Sequence, residues 1–111
     1  MNTKITYLYY DRRGYIFYQV IIVSGVLCEK ELTHFCLKDD FFIPQDVGLP
    51  PPEIPFSFNS YDNHSWHEFD SIKTTKASPN IDITADELID RFAIAYKKGW
   101  DTETNMALMP L

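Results

Sequence analysis

The stretch Asp62-Asn63-His64-Ser65-Trp66-His67-Glu68-Phe69-Asp70 places two histidines, two aspartates and a glutamate within nine residues. These side chains titrate or bind metals near neutral pH, so the run has the makings of a metal site or an acid–base pair. His64, His67, Glu68 and Asp70 are its candidate catalytic residues. Strand geometry divides them. With 66–70 extended, Trp66, Glu68 and Asp70 share one face, and His67 and Phe69 share the other. Glu68 and Asp70 can then pair, but His67 cannot join them directly, and His64 lies in the preceding turn. Any further ligands must come from elsewhere in the fold. The favoured reading is plainer: polar residues face outward at the start of a strand, and Trp66 anchors the core or an edge.

Cys28, His34 and Cys36 form a second set. Their spacing matches no zinc finger or ribbon. On a helix, His34 and Cys36 point ~200° apart and cannot share a metal. Cys36 is expected as a small core residue and His34 as an exposed one. The chain has no GxGxxG, no Walker loop, no HExxH, no GxSxG and no EF-hand loop. With four glycines in all, it has little material for a loop that cradles phosphate. No metal and no cofactor is expected.

Aromatic residues crowd the first eighteen positions: Tyr7, Tyr9, Tyr10, Tyr15, Phe17 and Tyr18. Most should pack across strands. Tyr7 and Tyr9 share parity, and if their face is exposed it is an apolar patch suited to an interface. Tyr7, Tyr9 and Trp66 are therefore the candidate binding residues. An exposed edge strand could likewise pair with a partner or with its own copy.

The elements that must hold these groups follow from periodicity. Ile5 to Tyr10 and Tyr15 to Val26 read as a hairpin around Asp11-Arg12-Arg13-Gly14. The second run is apolar at both parities, as in a strand covered on both sides, so it is expected at the centre of the sheet. Ser24-Gly25 marks a bulge or the strand end. Glu29 to Lys38 reads as a short helix with Leu32, Phe35 and Cys36 on one face. Residues 41–58 hold five of the seven prolines and are expected as an extended connector packed on the domain. Trp66 to Thr74 reads as a strand, and Ser57 to Tyr61 is a further candidate.

The clearest local signal lies in residues 84–98. Thr84 and Glu87 form a capping box, and Ile83 can staple onto Leu88. Leu88, Ile89, Phe92, Ala93 and Tyr96 line one face. Lys97 and Lys98 suit the negative end of the helix, and Gly99 is a natural stop. The tail 101–111 has no pattern and is expected to be mobile or docked.

Length and charge bound the rest. A chain of 111 residues suits one domain. Its net charge of −6 argues against nucleic acid, since Arg12-Arg13 is the nearest thing to a basic cluster. The longest apolar run, Val20 to Val23, is far short of the ~20 residues that span a bilayer, so no membrane is expected. The N-terminus lacks the order of a signal peptide, which points to the cytoplasm.

The segments YLYYD, FFIPQDVGLP, DNHSWHEFDSI and KKGWD together resemble a group of small uncharacterised bacterial proteins with FIPxxVGLP and WHE elements. The resemblance covers most of residues 5–101. It implies a compact cytosolic domain and attaches no activity. It draws attention to Trp66, His67 and Glu68, and to Phe42-Ile43-Pro44 and Gly48-Leu49-Pro50.

The expected fold is a single α+β domain: a small, mainly antiparallel sheet packed by a C-terminal helix and a shorter one. The expected function is non-catalytic protein binding, as an immunity or antitoxin-like protein, an inhibitor or an adaptor. Two alternatives stand beside it. One is a small metal-assisted or acid–base enzyme using the His64–Asp70 stretch. The other is a structural protein that self-associates as a homodimer.

Overall fold

The computed structural model describes residues 1–10, 14–38, 40–52 and 66–100. The candidate residue His64, the candidate strand 57–61, the turn residues 11–13 and the tail 101–111 lie outside them.

Strands β1 (Asn2–Tyr10) and β2 (Ile16–Val23) form the hairpin the alternation predicts, with Tyr10 opposite Ile16 and Thr3 opposite Val23. β3 (Phe41–Phe42) and β4 (His67–Thr75) complete a four-stranded sheet in the order β2-β1-β4-β3, antiparallel throughout. The expected α+β class is the observed one. Among the described residues, however, β2 lies at the edge and not at the centre. Its double apolar pattern has another cause: one face enters the core and the other stays largely exposed.

One helix covers the inner face. α2 (Ala85–Lys98) begins where Thr84 Oγ1 accepts the Glu87 N–H at 3.2 Å and ends at Gly99, whose φ is +81°. Its buried stripe is Ala85, Leu88, Phe92 and Ala95. Tyr96, expected on that stripe, is exposed, because the stripe runs through Ala95 and the next residue is turned ~100° away. Phe92 meets Phe42 and Phe69 from the sheet at ring separations of 5.4 and 5.7 Å. Phe42 stacks on Phe69 at 4.4 Å. This aromatic cluster, with Ile5, Tyr7, Ile21 and Leu88, is the centre of the core. The Ala85 N–H donates to the Ser24 carbonyl at 2.8 Å and ties the start of α2 to the end of β2.

α1 (Glu29–Thr33) is shorter than the predicted 29–38 helix. Beyond it the bonds tighten to an i−3 pattern, from Phe35 to Leu32 and from Cys36 to Thr33. Lys38 then takes a φ of +51°, and Leu37 and Phe41 exchange two backbone hydrogen bonds. The chain must reverse here to lay Phe41-Phe42 against β4, so the helix stops early.

The proline-rich segment packs on the domain as expected, although its described part is not a plain extended connector. Pro44 to Val47 form a 3₁₀ turn, where Pro is suited to the first position. Gly48 closes it at φ +69°, with the Leu49 N–H donating to the Pro44 carbonyl at 2.9 Å. Phe42, Ile43, Val47 and Leu49 are buried, so the turn lays an apolar row across the core. Among the described residues, no helix is long and apolar enough to cross a membrane.

Candidate functional site

The sheet separates His67 from Glu68. His67 is on the inner face, 1 % exposed, with the rings of Tyr7, Tyr9 and Phe42 at 6.5, 5.3 and 6.4 Å. Glu68 is on the outer face, half-buried, opposite Leu8 of β1 and Phe41 of β3. The register shifts between Thr6 and Tyr7: Phe69 opposes Tyr7 and Ser71 opposes Thr6. Asp70 is left as the extra, exposed residue of a bulge.

Burial raises the Glu68 carboxyl above its usual range, and the charges of Asp40 and Asp70 push it the same way. A carboxyl raised by burial and like charge is the raw material of a general acid. It needs a base or nucleophile within reach to act as one, and His67 faces the other side of the sheet. Among the described residues, no three His, Cys, Asp or Glu side chains gather as metal ligands.

The cysteine set is also spread out. Cys28 sits exposed at the start of α1, and its backbone N–H donates to Glu31 Oε1 at 2.9 Å. That bond holds the Glu31 carboxyl below its usual range. Cys36 is half-buried against the core and donates its Sγ–H to the Leu32 carbonyl at 3.5 Å. His34 is exposed beside the Phe35 ring at 5.0 Å.

Two of the three candidate binding residues are core. Tyr7 is fully buried, and its hydroxyl donates to the Pro50 carbonyl. Trp66 is 3 % exposed and meets Trp100 edge-on at 6.3 Å, its indole N–H without a hydrogen-bond partner among the described residues. Tyr9 is half-buried against His67. The face that Tyr7 and Tyr9 share is thus the inner one, which α2 and the 41–52 segment cover, and it is no open patch.

The exposed aromatic surface lies on the opposite face. Ile16, Tyr18 and Val20 project from β2, with exposures of 43, 52 and 37 %. Tyr10 stands beside Ile16 on β1, 52 % exposed, and Leu8 lies beside Tyr18. The signal for this row was present in the sequence, as the second apolar parity of β2. It read as burial because an apolar side chain on a strand looks the same whether a layer of the domain or a partner covers it.

The backbone of β2 adds a second feature. On its outer edge, Asn80 bonds the Ile22 N–H at 2.8 Å through its side chain and the Ile22 carbonyl at 3.1 Å through its backbone. Its side-chain amide also donates to the Val20 carbonyl at 3.4 Å. The Val20 N–H donates to Gln19 Oε1 at 2.9 Å, and Gln19 Nε2 donates to the Pro51 carbonyl at 2.8 Å. The far half of the edge is therefore capped. In an antiparallel ladder the outward groups alternate, so those of Ile16 and Tyr18 point the same way. Among the described residues nothing bonds them.

Open grooves lie at two further places among the described residues. One, of about 530 Å³, runs between the capped half of β2 and Gly48-Leu49-Pro50, with Asn80 and Ile81 at its rim. The other lies over α1, lined by Glu29, Lys30, Thr33, His34 and Asp40.

No family model, no curated protein and no solved structure matches the chain. The reading of function therefore rests on the geometry above.

Proposed function

We propose that this protein is a non-catalytic binding module that meets another polypeptide across the outer face of its sheet. The observation that carries this reading is the row of exposed apolar side chains Tyr10, Ile16, Tyr18 and Val20 beside a stretch of edge strand that none of the described residues caps. Tyrosines with an apolar ring and a wet hydroxyl are enriched at such interfaces. A free strand edge supplies backbone hydrogen bonds that any extended partner can use. Such a face suits an immunity or antitoxin-like protein, an inhibitor or an adaptor, and the net charge of −6 keeps such a chain dispersed until it docks.

The enzyme reading draws less support. Of its four residues His64, His67, Glu68 and Asp70, His67 lies across the sheet from Glu68, and His64 lies outside the described residues.

Photo-crosslinking tests the proposal. A benzophenone side chain replaces Tyr18 in one sample and Ile94, exposed on α2, in another, each introduced in cells that make the protein. Position 18 should give a discrete covalent adduct with a polypeptide, and position 94 should give none. An absence of adducts at 18, or an equal yield at both positions, would sink the interface.

A further inference from the structure

Among the described residues the outer edge of β2 is divided into a closed half and an open one, and the division limits what can pair with it. Asn80 and Gln19 occupy the outward groups of Val20 and Ile22. An incoming strand must therefore end before Val20 and bond through Ile16 and Tyr18, which present two donors and two acceptors.

The same stretch is self-complementary. Two antiparallel copies related by a two-fold axis through Phe17 place Ile16 of each opposite Tyr18 of the other. In that register the two residues exchange both backbone hydrogen bonds. The exposed Ile16 side chain then lies over the Tyr18 ring of the second copy, an aromatic–β-branched pair of the kind that stabilises sheets. A shift that moves the axis towards Val20 brings that residue into the pairing and meets the Gln19 and Asn80 caps, and a shift the other way sets Gly14 opposite Tyr18 and loses the Ile16–Tyr18 side-chain pairs. The caps and the Ile16–Tyr18 side-chain pairs together select one register.

Charge points to the same occupant. A chain with a net charge of −6 repels its own copy wherever carboxylates meet. β2, with the sequence IFYQVIIV, has no charged residue and no proline. Edge strands that must stay unpaired are commonly guarded by just those residues. Asn80 and Gln19 guard one half of β2, and among the described residues the open half has no such guard.

We infer that the protein pairs with a second copy of itself through the open half of β2, Ile16 opposite Tyr18 in both directions, making one continuous sheet of eight strands. This rests on reading the outer face as an interface and names its partner. An interface of two residues per strand belongs to the small, transient class, below about 1,200 Å². The dimer should therefore form and dissociate within the micromolar-to-millimolar range.

Sedimentation equilibrium of the full chain over that range tests it. The wild type should move from monomer to dimer mass as concentration rises. Ile16→Pro removes an outward N–H that β1 does not use, in each copy, so two of the four inter-chain bonds are lost. Its dimer dissociation constant should rise roughly 30-fold or more. Tyr18→Lys, which keeps the backbone and sets like charges at the pairing, is the second variant in case the proline disturbs the fold. A wild type that stays monomeric throughout overturns the self-pairing, and a crosslink from position 18 to a different polypeptide would then still uphold the binding module. A dimer unaffected by either variant, each folded by circular dichroism, places the contact elsewhere and overturns the register.

Discussion

The two faces of this sheet are built from similar residues and behave in opposite ways. The inner face carries Tyr7, Phe42, Phe69 and His67 under α2, where rings meet face-on or edge-on at 4.4 to 6.5 Å and water is excluded. The outer face carries Tyr10, Ile16, Tyr18 and Val20, none of them buried. The difference teaches that apolar character reports what a side chain will accept and not what it receives. On the inner face the domain supplies the cover. On the outer face the described residues leave the row open, and an open aromatic row beside a free strand edge is a place for another chain.

Substitutions at the two faces should therefore separate widely. Phe92→Ala removes the ring that bridges Phe42, Phe69 and Trp100, and should destabilise the protein by about 3–5 kcal/mol in urea unfolding. Tyr18→Ser, measured in dilute solution where copies are apart, should change stability by no more than about 0.5 kcal/mol. If the two variants lose similar amounts, the outer face is covered within the domain and the comparison fails.

Gly48→Ala sharpens the inner side of the comparison. The residue sits at φ +69°, and a methyl group there would lie 2.5 Å from Arg91 Nη1. That guanidinium group bonds the Val47 carbonyl at 3.2 Å and holds the 3₁₀ turn against α2. The backbone strain alone should cost about 1–2 kcal/mol, read as a lower urea midpoint with an unchanged slope. A neutral result would mean the turn does not hold the segment on the core.

The smallest expected effect is on the outer face, and its sign is reversed. Burial, Asp40 and Asp70 raise the Glu68 carboxyl, so the folded chain holds its proton more tightly than the unfolded chain does. The resulting penalty is absent below the unfolded value. It grows as pH rises through that value towards the raised one, and is complete above it. Glu68→Gln should therefore raise the melting temperature at neutral pH and leave it unchanged at pH values where both forms are neutral. A lower melting temperature at neutral pH would show that the ionised Glu68 is favourably paired.

Local physics made much of the fold legible. The Asp11–Gly14 turn between two β-rich runs predicted the hairpin, and Thr84, Leu88, Phe92 and Gly99 predicted α2, because caps and short-range spacing act within a few residues. The separation of His67 from Glu68 also followed from strand parity. The length of α1 did not, since its last turn yields to the reversal that delivers Phe41-Phe42 to β4.

The chain alone thus determined the class of fold, its hairpin, its main helix and the side of a strand on which each candidate residue falls. Only the tertiary structure decided that β2 is an edge strand, that Tyr7 and Trp66 are core, and that Asn80, some sixty residues away in the chain, closes half of that edge. Parity states which side chains share a face. Which face is covered depends on strand order and on distant segments brought together by burial, and those are long-range choices that no local pattern encodes.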